Sequence, residues 1–151
     1  MTLAEALPVE NVALDWTAPD KMSAVIKIAH LLKHDERMLN WRGFYDALLK
    51  REREATTCMG SGLAVPHARG DFVDDMAMGL VRWTPAVPDD DSQQVDVRYM
   101  IVVAFPIWMA ADYLRLVGAL VRVFKDAAFR SELDATTHAG DLVGLLVGKI
   151  R

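Results

Sequence analysis

Apolar and polar residues recur with two different periods along this chain, and the periods divide it into helices and strands. Across 21–33 the apolar positions Met22, Val25, Ile26, Ala29 and Leu32 fall three and four apart. That spacing predicts an amphipathic helix, entered through Pro19 and Asp20. A second helix is predicted over 41–54, with Phe44, Tyr45, Leu48 and Leu49 on its apolar face and a charged end at 50–54. A strand is expected over 76–83, ended by Pro85 and Pro88. The polar turn Asp89, Asp90, Asp91 and Ser92 then leads to the strongest strand signal, 95–105. Its final stretch, 100–105, is apolar without interruption, as a strand covered on both faces would be. Leu114, Val117, Leu120, Val121 and Phe124 mark a long helix over 110–124. A last helix is expected over 139–150, with Thr136 or Thr137 as its cap.

Interleaved helices and strands point to the α/β class: one domain over 1–151, with a mixed, mostly five-stranded sheet covered by helices on both faces. The hairpin-like spacing of 76–83 and 95–105 is what makes the sheet mixed. Ligands in such folds gather at strand ends, so the active edge is expected where 60–67 meets the loop after Phe105. Composition narrows the function classes. Hydrophobic residues make up 52% of the chain and charged residues 25%, enough for a packed core. The net charge of −4 and the scatter of Lys and Arg argue against nucleic acid. No uncharged apolar stretch reaches membrane-spanning length, and the first residues lack the pattern of a secretory signal. The single Cys58 precludes an internal disulfide and suits a reducing compartment, so a cytoplasmic location is expected. No His and Cys spacing suits zinc, and neither a metal nor a cofactor is expected. His30, His34 and His138 read as structural or solvent-facing.

One segment carries chemistry. Gly60-Ser61-Gly62-Leu63-Ala64-Val65-Pro66-His67 delivers a histidine from a glycine-rich, proline-stiffened corner. The glycines allow a tight turn, and Pro66 drives Val65 toward an extended conformation. Upstream lie Arg51, Glu52, Thr56 and Thr57. The whole pattern, R-E-x-x-x-T-T-x-x-G-x-G-x-A-x-P-H, resembles the active-site signature of the enzyme IIA domains of the bacterial phosphoenolpyruvate-dependent phosphotransferase system. The resemblance is to the fructose/mannitol class, closest to its nitrogen-regulatory branch. It covers essentially the full chain, since Leu7-Pro8-Val9-Glu10-Asn11-Val12, the 21–33 helix, Phe105-Pro106 and Leu114-Arg115-Leu116-Val117 follow in the expected order.

The resemblance implies that His67 accepts a phosphoryl group, which suits a neutral imidazole. It places Arg51, Thr57 and Tyr113 in the catalytic set, and Gly60, Gly62, Thr56 and Arg69 around the phosphate. Tyr113 stands where the family has a second histidine; a phenol can donate a hydrogen bond to phosphate or to the His67 ring but carries no positive charge. Ala68 replaces a usual glycine, so any positive φ there would be strained. The apolar loop of Ile107, Trp108 and Met109 is the expected docking surface for a partner protein. The implied function is a phosphoryl carrier with a regulatory output, charged by an HPr- or NPr-like phosphocarrier protein. Two alternatives stand beside it: a binding module that is not phosphorylated, and a sugar-transport IIA that passes phosphate to a separate enzyme IIB. A homodimer stays open.

Overall fold

The computed structural model describes residues 1–89 and 96–150. The chain opens with a helical turn, α1 (Leu3–Ala6), and a strand, β1 (Val12–Trp16), and continues into α2 (Lys21–Ala29) and α3 (Trp41–Glu54). Three short strands follow: β2 (Cys58–Gly60), β3 (Leu63–Ala64) and β4 (His67–Arg69). The long hairpin of β5 (Ala77–Val87) and β6 (Val97–Phe105) leads to α4 (Ala110–Phe124), α5 (Ala127–Asp134) and α6 (Ala139–Lys149). α1, α2, α3 and α5 start where side chains satisfy their first amides, whereas α4 and α6 have no side-chain cap. The Asp20 carboxylate accepts from the Ser23 N–H at 2.7 Å, Asn40 Oδ1 accepts from Gly43 at 3.1 Å, and Asp126 caps α5.

The sheet runs β1-β5-β6-β3-β2, with β4 also on β6. β5 and β6 are antiparallel, whereas β1 on β5 and β3 and β4 on β6 are parallel. β3 and β4 share one lane. Leu63 pairs with Tyr99 and His67 with Val103, so they are two pieces of one strand broken at Val65-Pro66. Six strands therefore fill five positions. Alternation along β6 splits the core in two. Tyr99, Ile101, Val103 and Phe105 join α1, α4, α5 and α6 on one face; Met100, Val102 and Ala104 join α2 and α3 on the other.

Several expectations are corrected. β5 does not stop before Pro85 but runs to Val87. Pro85 lies beyond the last β1 pair and inside the irregular stretch between the Arg82 and Val87 pairs, so no ladder N–H is missed there. β1 and α5 went unforeseen. The last helix is preceded by His138; Thr136 instead donates to the Leu133 carbonyl at 2.7 Å, and the Thr137 hydroxyl pairs with His138 Nδ1. Leu114 leaves the apolar face of α4, being 68% exposed, and Tyr113 takes the buried position. Asp90, Asp91, Ser92 and the start of the 95–105 strand lie outside the described residues. Ala68 sits in β4 with ordinary extended backbone, so the missing glycine causes no strain.

Two arginines tie the periphery to the sheet. Arg82, 3% exposed, pairs with Asp15 at 3.0 Å and donates to the carbonyls of Leu133 and Thr136. Arg37 donates to Asp35 and to the carbonyls of Glu5, Ala6 and Met76. Burial opposes the Asp35 charge, but hydrogen bonds from Arg37 and Asn11 overcome it and hold its carboxyl at about 2. A depressed carboxyl stabilises the fold above its unfolded value and loses that effect as pH falls through the folded one. Asp35→Asn is therefore expected to lower the urea midpoint near neutrality. The gap to the parent protein should close between about pH 4 and about pH 2; a gap independent of pH would contradict this.

Candidate active site

The break at Val65-Pro66 builds the site. Val65 N–H still bonds the Thr57 carbonyl at 2.9 Å, and the Pro66 carbonyl accepts from Val103 at 3.0 Å. Pro66 has no N–H to continue the ladder. The Val65 carbonyl instead accepts from His67 Nδ1 at 2.9 Å. A carbonyl only accepts, so Nδ1 carries the proton and the neutral ring keeps its lone pair on Nε2. Nε2 has no hydrogen-bond partner among the described residues. Burial pushes the His67 imidazole below its ordinary value, and Arg51 adds to that, against the pull of the Val65 carbonyl and Glu52. The ring is a neutral nucleophile at physiological pH.

His67 lies at the floor of a cleft of about 610 Å³ at the carboxyl end of β6. The last turns of α3 supply Ala47, Lys50, Arg51 and Glu54 on one side, and the first turns of α4 supply Ala110, Tyr113 and Leu114 on the other. Ala68, Arg69 and Phe105 complete the lining. Three cations face one carboxylate here, although the chain as a whole is acidic. The amino end of α4 adds its partial positive charge. Such a cleft favours an anion beside His67.

The structure gathers His67, Arg51, Arg69 and Tyr113 around the cleft and leaves other expected residues elsewhere. Arg51 spends one N–H on the Ala55 carbonyl at 3.1 Å. Tyr113 stacks on Phe105 at 4.3 Å and meets the His67 ring at 4.9 Å, tilted by 37°. Gly60 and Gly62 are not in the cleft lining. Gly60, Ser61 and Gly62 adopt φ of 83°, 57° and 77° to turn β2 into β3. This turn lies four β6 residues from His67, about 13 Å away. Thr57, 2% exposed, donates to Glu52 at 2.8 Å, and Thr56 accepts from Lys21 at 2.6 Å, so both hydroxyls serve the scaffold. Of the apolar loop, Ile107 and Trp108 are 66% and 72% exposed, while Met109 is buried in the core. Docking by Met109 is thus excluded in this conformation.

The sequence reading passed over the buried charges beneath Arg51. Lys21 Nζ lies 3.1 Å from Glu52 Oε2 and 3.9 Å from Asp89 Oδ1, all three residues buried. Burial opposes the Lys21 charge, yet the attraction of Glu52 raises its pKa overall. Both residues announce themselves by position: Glu52 follows Phe44 and Leu48 at four-residue spacing, and Lys21 precedes Val25 and Ile28 at four and seven. Opposite charges on two buried faces must meet or unfold the chain. The pair ties α3 to α2, and Thr57 ties Glu52 to the segment entering β2. Burial raises the Cys58 thiol nearby, which leaves it a poor nucleophile.

Comparison with known proteins adds the family context. Residues 5–147 match the family described as phosphoenolpyruvate-dependent sugar phosphotransferase system, EIIA 2. The chain is 27% identical over 126 residues to the fructose-specific EIIA component of Haloferax volcanii, covering 83% of this chain and 82% of that one. It is 28% identical over 147 residues to the multiphosphoryl transfer protein of Escherichia coli O157:H7, spanning 95% of this chain but only 37% of that larger protein. Among solved structures, the nitrogen regulatory protein IIA-Ntr of Neisseria meningitidis superposes with a TM-score of 0.86 at 23% identity, covering 95% of this chain and 98% of the other. Among the described residues no helix is long and apolar enough to cross a membrane.

The His67 geometry has a direct spectroscopic signature. In the folded protein its nitrogen shifts should report the Nδ1–H form at neutral pH, with a titration midpoint below that of an ordinary exposed histidine. A proton on Nε2 would show that the Val65 contact does not hold in solution, and a midpoint at or above the ordinary value would show that the ring is not buried beside Arg51 as described.

Proposed function

The chain belongs to the phosphoenolpyruvate-dependent sugar phosphotransferase system EIIA 2 family, and from that premise we propose that it is a phosphoryl carrier charged on His67 Nε2 by a small HPr- or NPr-like phosphocarrier. The observation that supports this most directly is the His67 ring itself, with Nδ1 committed to the Val65 carbonyl and Nε2 left free in a basic cleft. In the transfer, the Nε2 lone pair attacks the phosphorus of the donor phosphohistidine. The new N–P bond forms as the donor's N–P bond breaks, and the donor imidazole leaves with the bonding pair. Nδ1–H stays on Val65, so the charged ring is a phosphoimidazolium that can later leave as neutral imidazole. Arg51 and Arg69 offset the negative charge of the phosphoryl oxygens.

Ile107 and Trp108, exposed in the turn that leads into α4, and Leu114, which lines the cleft, offer apolar surface suited to transient docking. The charged carrier then acts through protein contacts as a regulator. A second reading, donation to a separate IIB protein, draws on the fructose-specific relative and uses the same cleft.

Incubation with phosphoenolpyruvate, enzyme I and an HPr-type carrier should give acid-labile, base-stable label on the wild-type chain and none on His67→Ala. An unlabelled wild type with active donors would overturn the carrier reading; label surviving in His67→Ala would overturn the site. Addition of a family IIB protein separates the two outputs by whether label moves on. Trp108→Ala is expected to raise the half-saturating carrier concentration about tenfold without a change in thermal midpoint. An unchanged concentration would remove Trp108 from the docking surface.

A further inference from the structure

A groove of about 520 Å³ opens between α1, α4 and the end of α6, and it shares no lining residue with the His67 cleft. Leu3, Leu116, Ala119, Val147 and Ile150 make most of its lining apolar. Along α4 the lining positions are 112, 115, 116, 119 and 122, a helical spacing that turns one continuous strip of the helix toward the groove. Ala119 is the smallest side chain on that strip and leaves the space open at its middle. A volume of this size, apolar with a few polar groups at its margin, is what a small-molecule site ordinarily has.

The charge on the strip is unbalanced. Arg115 donates to Asp112 at 3.2 Å, so that pair is neutral. Arg122 has no ion pair, hydrogen bond or ring contact among the described residues. Its side chain lies back along the helix, with Nη1 3.5 Å from where a Cβ on Gly118 would stand. The carboxyl end of α4 accounts for a cation at this position. It does not account for an apolar groove beside that cation. A planar guanidinium with all its donors free matches a carboxylate in both charge and geometry. One free cation balances one negative charge, whereas the three cations around His67 suit a more highly charged group.

We propose that this groove is a binding site for a small amphipathic carboxylate, its head held by Arg122 and its apolar body laid over Ala119 and Leu116 between α1 and α6. The site stands apart from the phosphoryl chemistry and does not depend on it.

The test is a titration of the nitrogen-15-labelled chain with octanoate, and with octan-1-ol as its uncharged counterpart, followed by amide shifts. Octanoate should give saturable shifts at Leu3, Leu116, Ala119, Val147 and Ile150, and octan-1-ol should bind about tenfold more weakly. Arg122→Gln should weaken octanoate about tenfold and leave octan-1-ol unchanged, while Arg122→Lys keeps most of the octanoate affinity. Ala119→Leu, which fills the middle of the groove, should weaken both. His67→Ala should bind octanoate like the wild type, so an unphosphorylated chain would leave this inference standing. No saturation at these amides below about 10 mM octanoate would overturn the site. Equal binding of the two compounds, or an unchanged octanoate affinity in Arg122→Gln, would also overturn the proposal. So would the same shifts on raising the protein concentration alone, which would give the groove to a second copy of the chain.

Discussion

Everything distinctive about this site follows from one missing hydrogen-bond donor. Pro66 cannot supply an N–H to the sheet, and the lane beside β6 breaks there into β3 and β4. Pairing survives on both sides of the break, through Val65 N–H to Thr57 and Val103 N–H to the Pro66 carbonyl. The Val65 carbonyl is thereby available to a side chain two residues on, and the imidazole of His67 takes it. One backbone irregularity fixes the position, the tautomer and the free nitrogen of the reactive ring. A regular strand would have engaged that carbonyl in the ladder.

The second constraint is electrostatic and lies below the cleft. Glu52, next in sequence to Arg51, is buried with Lys21, and Asp89 lies near the same ammonium. Burying such charges costs several kcal/mol per ion, and the pairing must offset it. The pair is better understood as specification than as stabilisation: it allows one placement of the α3 end against α2. Arg51 inherits its position from that placement, and its own N–H to Ala55 completes the helix end.

The sequence revealed the long, strongly periodic elements well. The 41–54 helix emerges over the residues foreseen because apolar spacing and the Asn40 cap agree. The apolar run at 100–105 correctly announced a strand with both faces covered. β1 escaped because it is five residues long and half exposed, and Asp15 interrupts it with φ of 61°. α5 escaped because Phe129 and Leu133 are its only buried residues. Within the site, His67, Arg51 and Tyr113 were legible by motif, but the glycines were not, since the same residues serve a turn or a phosphate equally well. Nor does a run of three apolar residues say which one turns inward. The tight helical turn at Ile107–Met109 rotates each by about a third of a circle, and only Met109 reaches the core.

The sheet separates two cores, and each owns one wall of the cleft. α3, with Arg51, rests on the Met100, Val102 and Ala104 side of β6; α4, with Tyr113, rests on the Ile101, Val103 and Phe105 side. β6 is thus a common keel, and β3 and β5 beside it also contribute residues to both cores. Sequence drift in one core can reshape its own wall while leaving the other in register, because distant, unconnected changes combine additively. The cationic side and the aromatic side of the site thus draw support from separate core clusters and meet at His67, where Arg51 and Tyr113 both act on the ring.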